Sequence, residues 1–155
     1  MNHFQSLKTL SYVQVRRILR IWVQTIIPPA ITTALYFLIF GELIGSRIGE
    51  MPGYEGLTYL EFMVPGLIML AVITNSYANV ASAFFGAKFQ KAIEEILISP
   101  MANWAILLGF IVGGITRGVL VGVVVVLVSL FFTNFGISNI FLTLFSILLT
   151  STLFS

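Results

Sequence analysis

Polar segments divide the chain into four long apolar blocks, at 22–40, 61–85, 104–132 and 140–155. A transmembrane helix needs about 20 predominantly apolar residues to cross a hydrocarbon core about 30 Å thick. The pattern therefore predicts an all-α bundle of about four membrane spans, forming one transmembrane domain. The last block runs to the end of the sequence with no charged residue to anchor it at an interface, so we expect a fragment of a longer protein.

Residues 1–21 have a different pattern, with apolar and basic positions on opposite faces of a helix. On a 3.6-residue period the apolar side chains share one face, namely Phe4, Leu7, Val15, Ile18 and Trp22. The opposite face carries Arg16, Arg17 and Arg20. This pattern is typical of an amphipathic helix that lies in the membrane interface. A frayed, positively charged leader is the alternative.

Prolines and glycines interrupt the apolar pattern at defined places. Pro28 and Pro29 remove two N–H donors within the first predicted span, which favours a kink or break there. The polar stretch 41–60 contains Pro52 and several glycines and is predicted to be a loop. A tight, uncharged turn is predicted at 133–139.

A short amphipathic helix is predicted over 86–100, between the second and third blocks. Its apolar residues recur at helical spacing on one stripe, namely Phe89, Ala92, Ile93, Ile96 and Leu97. The same segment carries the charged residues Lys88, Lys91, Glu94 and Glu95. A helix that floats among lipid headgroups is one interpretation, but anionic lipids prefer a purely basic polar face. The mixed charges beside an apolar stripe favour docking into a groove on a soluble partner.

The third block combines regularly spaced glycines with one charge. Gly114, Gly118 and Gly122 recur every four residues, a spacing that lets helix backbones approach closely. Arg117 lies near the middle of the block, where an exposed charge costs from about 2.5 to over 10 kcal/mol. It either lines a substrate path or pairs with an acid from another helix. The alternative is that this long span is offset, so that Arg117 lies nearer an interface.

Polar side chains also occur in the second block. Glu61 opens it, and Asn75, Ser76 and Asn79 lie in its second half. These three residues either line a polar cavity or form hydrogen bonds to neighbouring helices, and we favour the hydrogen bonds.

Composition also indicates a membrane protein. Hydrophobic residues make up 58% of the chain and charged residues only 9%, with a mean hydropathy of +1.03. A soluble domain carries about 25% charged residues. The distribution of Lys and Arg alternates, with four before the first span, one after it, two after the second and none after the third. The positive-inside rule therefore predicts a cytoplasmic N-terminus.

The residues of several kinds of active site are missing. The chain contains no cysteine and no aspartate, and its single histidine, His3, lies in the N-terminal tail. No Gly-x-x-x-x-Gly-Lys-Ser/Thr phosphate loop is present, so the chain is not itself an ATPase. We expect no catalytic residue, metal site or cofactor in this chain, and no nucleic-acid partner.

Several runs of residues resemble a known family, the permease subunits of bacterial type-2 ABC transporters that export drugs, polysaccharides or lipids. They are WVQTIIPPAITTALYFLIFG at 22–41, YLEFMVPGLIM at 59–69 and the helix end ISPM at 98–101. The order of the basic helix, the spans and the short helix between the second and third spans is also similar. No single motif is diagnostic alone, but together they cover nearly the whole chain.

The resemblance implies six spans, of which about four are present here, and a dimer of two permeases with two separate ATPase subunits. The helix at 86–100 would be the coupling helix, with Lys88, Phe89, Lys91, Ile93, Glu94, Glu95 and Leu97 docking the ATPase. ATP would then bind only to the partner, and the chain would lie in the bacterial inner membrane. Two alternatives remain open, namely a membrane scaffold that transports nothing and an ion-coupled carrier.

Overall fold

The computed structural model describes residues 3–45, 58–98, 101–132 and 139–155, and the regular elements in these segments are helices. In chain order they are α1 (His3–Arg20), α2 (Trp22–Leu38), α3 (Tyr59–Phe89), α4 (Ala92–Ile98), α5 (Asn103–Phe132) and α6 (Ile140–Leu153). A π-helical segment, Ile39–Gly45, continues α2. The loop predicted at 41–60 is shorter in the structure, since helical backbone continues to Gly45 and α3 begins at Tyr59. Residues 46–57 and most of the predicted turn at 133–139 lie outside the described residues.

Three of these helices are long and apolar enough to cross a membrane, namely Trp22–Gly41, Tyr59–Phe89 and Asn103–Phe132. The fourth predicted span is represented by α6, an apolar helix of 14 residues. At 1.5 Å per residue α6 is about 21 Å long, shorter than the hydrocarbon core. The prediction of an all-α transmembrane bundle is confirmed.

The helix α5 lies at the centre of the bundle and contacts α1, α2, α3 and α6. The main buried cluster joins α5 to three other helices. Its members include Phe37 of α2, Val72 of α3, Val121 and Val125 of α5 and Ile147 of α6. Lipid tails are as apolar as these side chains, so close van der Waals packing, rather than escape from water, holds the cluster together.

A second buried cluster lies at the other end of α5. Its members are Ala83, Ile106 and Phe110, with Leu10 of α1 and Ile96 of α4 packed against them. The ring of Phe110 also meets that of Phe84 edge to face, with 6.0 Å between the centroids. This cluster therefore fixes α1 and α4 to the ends of the two long helices α3 and α5.

The N-terminal helix α1 runs alongside α5, with Leu10 against Gly109 and Gln14 against Gly113. Its buried face contains Gln14 and Ile18, whereas Phe4 is 75% exposed. Of the predicted apolar face, Ile18 is buried in the bundle, whereas Phe4 and Trp22 at its two ends are exposed. Two glycines four residues apart on α5 accept side chains spaced four apart on α1. The location of this helix in the membrane interface stays a prediction.

The helix α2 continues through Pro28 and Pro29. The helix is therefore not broken at the prolines, and the kink stays a prediction. The turn at Ile21 separates α1 from α2, where the sequence predicts the boundary between residues 1–21 and the first span. Because proline lacks an amide hydrogen, the carbonyl oxygens of Gln24 and Thr25 have no donor four residues later in the helix. The prolines therefore leave polar acceptors in α2 without ending it.

Candidate functional site

A cavity of about 420 Å³ lies between α2, α3 and α5. The residues that α2 contributes are Gln24, Pro28, Pro29, Thr32, Thr33 and Tyr36. Those from α3 are Leu67, Leu70, Ala71, Thr74 and Asn75. Arg117 of α5 completes the lining and is its one charged residue within the described part of the chain. A volume of this size falls within the range of about 300–1,000 Å³ that is usual for small-molecule sites.

Arg117 has no neutralising partner in the segments that the structure describes. Its Nε atom is buried and makes no hydrogen bond there. Glu61, one of the described acids, lies at the first turn of α3 and accepts a hydrogen bond from the Thr58 backbone N–H at 3.0 Å. Asn75, on the cavity wall, lies about 21 Å further along α3. The predicted pairing of Arg117 with an acid is therefore not seen among the described residues.

A second arginine approaches Arg117 from α1. Arg17 lies close enough for the two guanidinium charges to repel each other. Arg17 belongs to the basic segment that precedes the first span, so this approach places Arg117 at the depth where α1 gives way to α2. The packing of Leu10 on Gly109 and of Gln14 on Gly113 brings the end of α1 level with Arg117. This register supports the alternative in which α5 is offset and Arg117 lies towards one interface.

The polar residues of α3 divide between the cavity and the helix contacts. Asn75 lines the cavity, and its Nδ2 donates a hydrogen bond to the Ala71 carbonyl of its own helix at 2.9 Å. Ser76 and Asn79 are buried, and within the described segments neither Ser76 Oγ nor Asn79 Nδ2 has a hydrogen-bond partner. The interhelical hydrogen bonds expected for these side chains are thus not formed between described residues.

A line of glycines on α5 forms the closest helix contacts, and we name it the glycine seam: Gly114, Gly118 and Gly122. A Cβ atom added at Gly118 would overlap Ser76 Oγ of α3 and would lie 2.8 Å from the Cβ of Ser151 on α6. One added at Gly122 would lie 2.7 Å from Cγ2 of Ile147. Since such distances are too short for carbon atoms, α3 and α6 pack directly on the backbone of α5.

Two buried amide side chains meet beside the neighbouring Gly113. A Cβ at this glycine would lie 3.3 Å from Asn79 Nδ2 and 3.7 Å from Gln14 Oε1. Each of these atoms is buried without a hydrogen-bond partner in the described segments. An unpaired donor and an unpaired acceptor thus lie close to the same glycine, where each costs about 1–3 kcal/mol. Gln14 cannot be identified from the sequence, because a lone polar residue in a basic helix carries no periodic signal.

The helix predicted over 86–100 is divided in the structure. α3 continues to Phe89, where the Gln90 N–H donates to the Gly86 carbonyl at 3.0 Å, and α4 begins at Ala92. Lys91 between them has a left-handed backbone with φ of 56°. Because a left-handed residue breaks the hydrogen-bond ladder, the prediction of one continuous stripe from Phe89 to Ile96 is wrong. Ser99 and Pro100 lie outside the described residues.

We name the exposed residues around this break the α3–α4 corner: Lys88, Phe89, Lys91, Glu94, Glu95 and Ile98. Phe89 is 87% exposed and Ile98 is 84% exposed. Ile93 is half-buried, and Ile96 packs against the cluster of Ala83, Ile106 and Phe110. The side chain of Leu97 is not among the described ones. α4 therefore turns its apolar stripe towards its own bundle and leaves charges and two apolar side chains exposed.

Comparison with known proteins identifies the family to which the chain is similar. Residues 5–155 match the family model for the ABC-2 type transporter. The chain is 50% identical over 153 residues to the inner membrane transport permease YadH of Escherichia coli (strain K12), covering 99% of this chain and 59% of that protein. A protein of the same name from Shigella flexneri matches to the same extent. This chain thus spans about three fifths of the length of these curated relatives. No solved structure matches it.

Proposed function

Because this chain belongs to the ABC-2 type transporter family, as its sequence predicted, we propose that it is the permease subunit of an ATP-driven exporter. In this proposal the spans form the substrate pathway in the bacterial inner membrane. ATP is hydrolysed on a separate phosphate-loop subunit, and two permease copies form the complete transporter. Similarity to a protein named as an inner membrane transport permease supports the location and the role.

The observation that carries the proposal is the α3–α4 corner. At this corner Phe89, the last residue of the 31-residue α3, is 87% exposed among charged side chains. Lys88 and Lys91 lie beside Phe89, and Glu94 and Glu95 follow on α4, so a partner groove would need an apolar pocket with charges of both signs at its rim. A soluble ATPase that docks here would push directly on α3.

The route of coupling follows from the packing of α3 and α4. Ile96 fixes α4 to the cluster at the ends of α3 and α5, so a force on the corner reaches both long helices. α3 is a single helix from Tyr59 to Phe89 and forms one wall of the cavity. We place the corner and the N-terminus on the cytoplasmic side, since four basic residues precede the first span.

The test is co-purification of the full-length protein, extracted gently from its native membrane, with its bound proteins identified. We expect a near-stoichiometric phosphate-loop ATPase. Phe89→Ser should remove most of it, because a buried aromatic anchor at an interface contributes about 2 kcal/mol or more. Double charge reversal at Glu94 and Glu95 should weaken the association and the coupled ATP hydrolysis.

The chain offers a matched control at the other end of the bundle. Phe131 of α5 is also 87% exposed, but it lies near the opposite end of the spans from Phe89. Phe131→Ser should leave the ATPase bound. If both serine variants behave alike, the corner is not the docking site. If no ATPase is found while other native complexes survive extraction, the scaffold and the ion-coupled carrier become the better explanations, and vesicle transport driven by an ion gradient separates those two.

A further inference from the structure

The cavity between α2, α3 and α5 is polar and charged at one end and mostly apolar along the rest of its α3 wall. Asn75 directly precedes Ser76, which packs on Gly118, so Asn75 and Arg117 lie at the same level of the bundle. Leu67 is two helical turns away along α3, about 12 Å from that level. An occupant would therefore meet a guanidinium at one end and aliphatic side chains at the other.

The charged end attracts an anion. Arginine keeps its charge under all physiological conditions, and Arg117 Nε is buried without a hydrogen-bond partner among the described residues. Arg17 adds a second positive charge nearby and no described acid lines the cavity. A guanidinium with a buried, unpaired nitrogen gains from a counter-ion that accepts its hydrogen bond. A phosphate or carboxylate fits, since guanidinium groups bind such oxygens with paired hydrogen bonds.

Part of the α3 wall and the two prolines of α2 offer an apolar surface to a tail. Leu67, Leu70 and Ala71 line the α3 side, and the proline rings of Pro28 and Pro29 face them from α2. Only hydroxyl and amide groups interrupt this surface, and Thr74 already donates its hydroxyl to the Leu70 carbonyl at 2.8 Å. A hydrocarbon chain would bury apolar area here without leaving a charge unpaired.

We propose that this cavity binds an anionic amphiphile with one hydrocarbon tail, its acid head on Arg117 and its tail along Leu67 and Leu70. If this amphiphile is a transported molecule, the inference rests on the proposed function. A resident membrane lipid offers the same chemistry, an acid head with an apolar tail, and would use the same contacts.

The test measures binding of radiolabelled dodecyl phosphate to the full-length protein with its partner subunits, in nanodiscs of zwitterionic lipid. We expect saturable binding that dodecyl phosphocholine, which has a zwitterionic head, does not displace. Arg117→Gln should weaken binding at least about tenfold, because a charge-assisted hydrogen bond is lost. Arg117→Lys should weaken binding less than Arg117→Gln does, since it keeps the positive charge but loses the paired hydrogen bonds.

Two further variants separate the cavity from a general basic surface and from misfolding. Lys8→Gln removes an exposed positive charge of α1 that is outside the cavity lining, and it should leave binding within about threefold of wild type. Ala71→Phe keeps Arg117 but fills the tail region, and it should also weaken binding about tenfold. If Arg117→Gln does not fold, the Ala71→Phe variant still decides the question.

The two sources of the amphiphile give different results. For a transported molecule, dodecyl phosphate changes the rate of ATP hydrolysis by the complex. For a resident lipid, that rate is unchanged, and native mass spectrometry finds an anionic lipid on the wild type that the Arg117→Gln protein lacks. Either result supports the site. No saturable binding, or equal binding by wild type and Arg117→Gln, overturns it.

Failure of this inference can be told apart from failure of the proposed function. A complex that retains its ATPase but shows no dependence of binding on Arg117 overturns the site alone. Binding that depends on Arg117 in a protein that carries no ATPase overturns the exporter proposal and leaves the site standing as a lipid site.

Discussion

The two sides of α3 differ sharply in how they pack. On one side, at the glycine seam, α3 and α6 lie directly against the backbone of α5, and no larger residue fits at Gly118 or Gly122. On the other side, α3 faces α2 across a cavity of about 420 Å³ that is lined by prolines, threonines and Arg117. The same helix thus belongs to a tightly packed unit and to an open one.

This difference indicates which part of the bundle moves. Close-packed interfaces deform little and have few alternative arrangements, whereas an interface with a cavity can close or widen without losing many contacts. We therefore expect α3, α5 and α6 to move as one body, and the gap between α2 and α3 to change. A force applied at the α3–α4 corner would be transmitted through the seam and expressed at the cavity.

The largest effect is expected from a methyl group placed in the seam. Gly118→Ala should lower the free energy of unfolding by about 3 kcal/mol, because the new Cβ collides with Ser76 and Ser151 and forces two helices apart. Unfolding in mixed micelles measures this change. Gly66→Ala adds the same methyl group to α3 where no atom lies within 4 Å, and it should not destabilise the protein. An equal decrease in the free energy of unfolding in both variants would show that the seam is not packed more tightly than the rest of the bundle.

The next effect compares two adjacent residues of α2. Phe37 is 1% exposed and its ring lies 5.8 Å from that of Phe132, whereas Tyr36 lines the cavity. Phe37→Ala should cost about 2 kcal/mol, less than in a water-soluble core, since lipid replaces part of the lost contact. Tyr36→Ala should cost less than about 1 kcal/mol in the same unfolding assay. A larger cost for Tyr36→Ala would mean that the cavity side is the better packed one.

The rate at which an introduced thiol reacts with a reagent from water should differ between the cavity and the glycine seam. The chain contains no cysteine, so a single introduced thiol reports one position. Thr74→Cys on the cavity wall should react at least about tenfold faster with a water-soluble maleimide than Ser151→Cys, which lies at a 0% exposed position on the seam. Comparable rates would show that the seam opens, or that the cavity is closed, in the assembled protein.

The smallest effect concerns the unpaired amides beside Gly113. Gln14→Leu should be neutral or raise the free energy of unfolding by up to about 1 kcal/mol, because it removes a buried acceptor that has no described partner. Gln24→Leu, at the cavity, should change stability by less than about 0.5 kcal/mol. A loss of more than about 1 kcal/mol for Gln14→Leu would instead show that its carbonyl is hydrogen-bonded, with Asn79 Nδ2 as the nearest candidate.

The sequence predicts the spans better than the contacts between them. Apolar length alone identifies the three long helices, because the bilayer sets one dimension for all of them. The predicted second span nevertheless ended at 85, whereas α3 reaches Phe89. The hydrophobic pattern marks where lipid ends, but a helix continues beyond lipid wherever its hydrogen-bond ladder is intact.

The candidate site was predicted in part. The spacing of Gly114, Gly118 and Gly122 predicts a close helix contact, and Arg117 was singled out as an isolated charge. The cavity itself could not be predicted, because it depends on the distance between α2 and α3, which no local pattern encodes. The break at Lys91 was missed for a similar reason, since a left-handed lysine has no sequence signature of the kind that glycine provides.

The most direct test is to measure two distances between spin labels, one from α3 to α2 and one from α3 to α6, with the same labelled position on α3 in both. Labels at Ile31 on α2, Tyr77 on α3 and Leu148 on α6 occupy exposed positions. The two distances are measured in full-length protein bound to the proposed ATPase partner, diluted with unlabelled permease, with and without a non-hydrolysable ATP analogue. The account predicts that the Ile31–Tyr77 distance changes by at least about 2 Å while Tyr77–Leu148 stays constant. A constant first distance, or a change in the second, would contradict it.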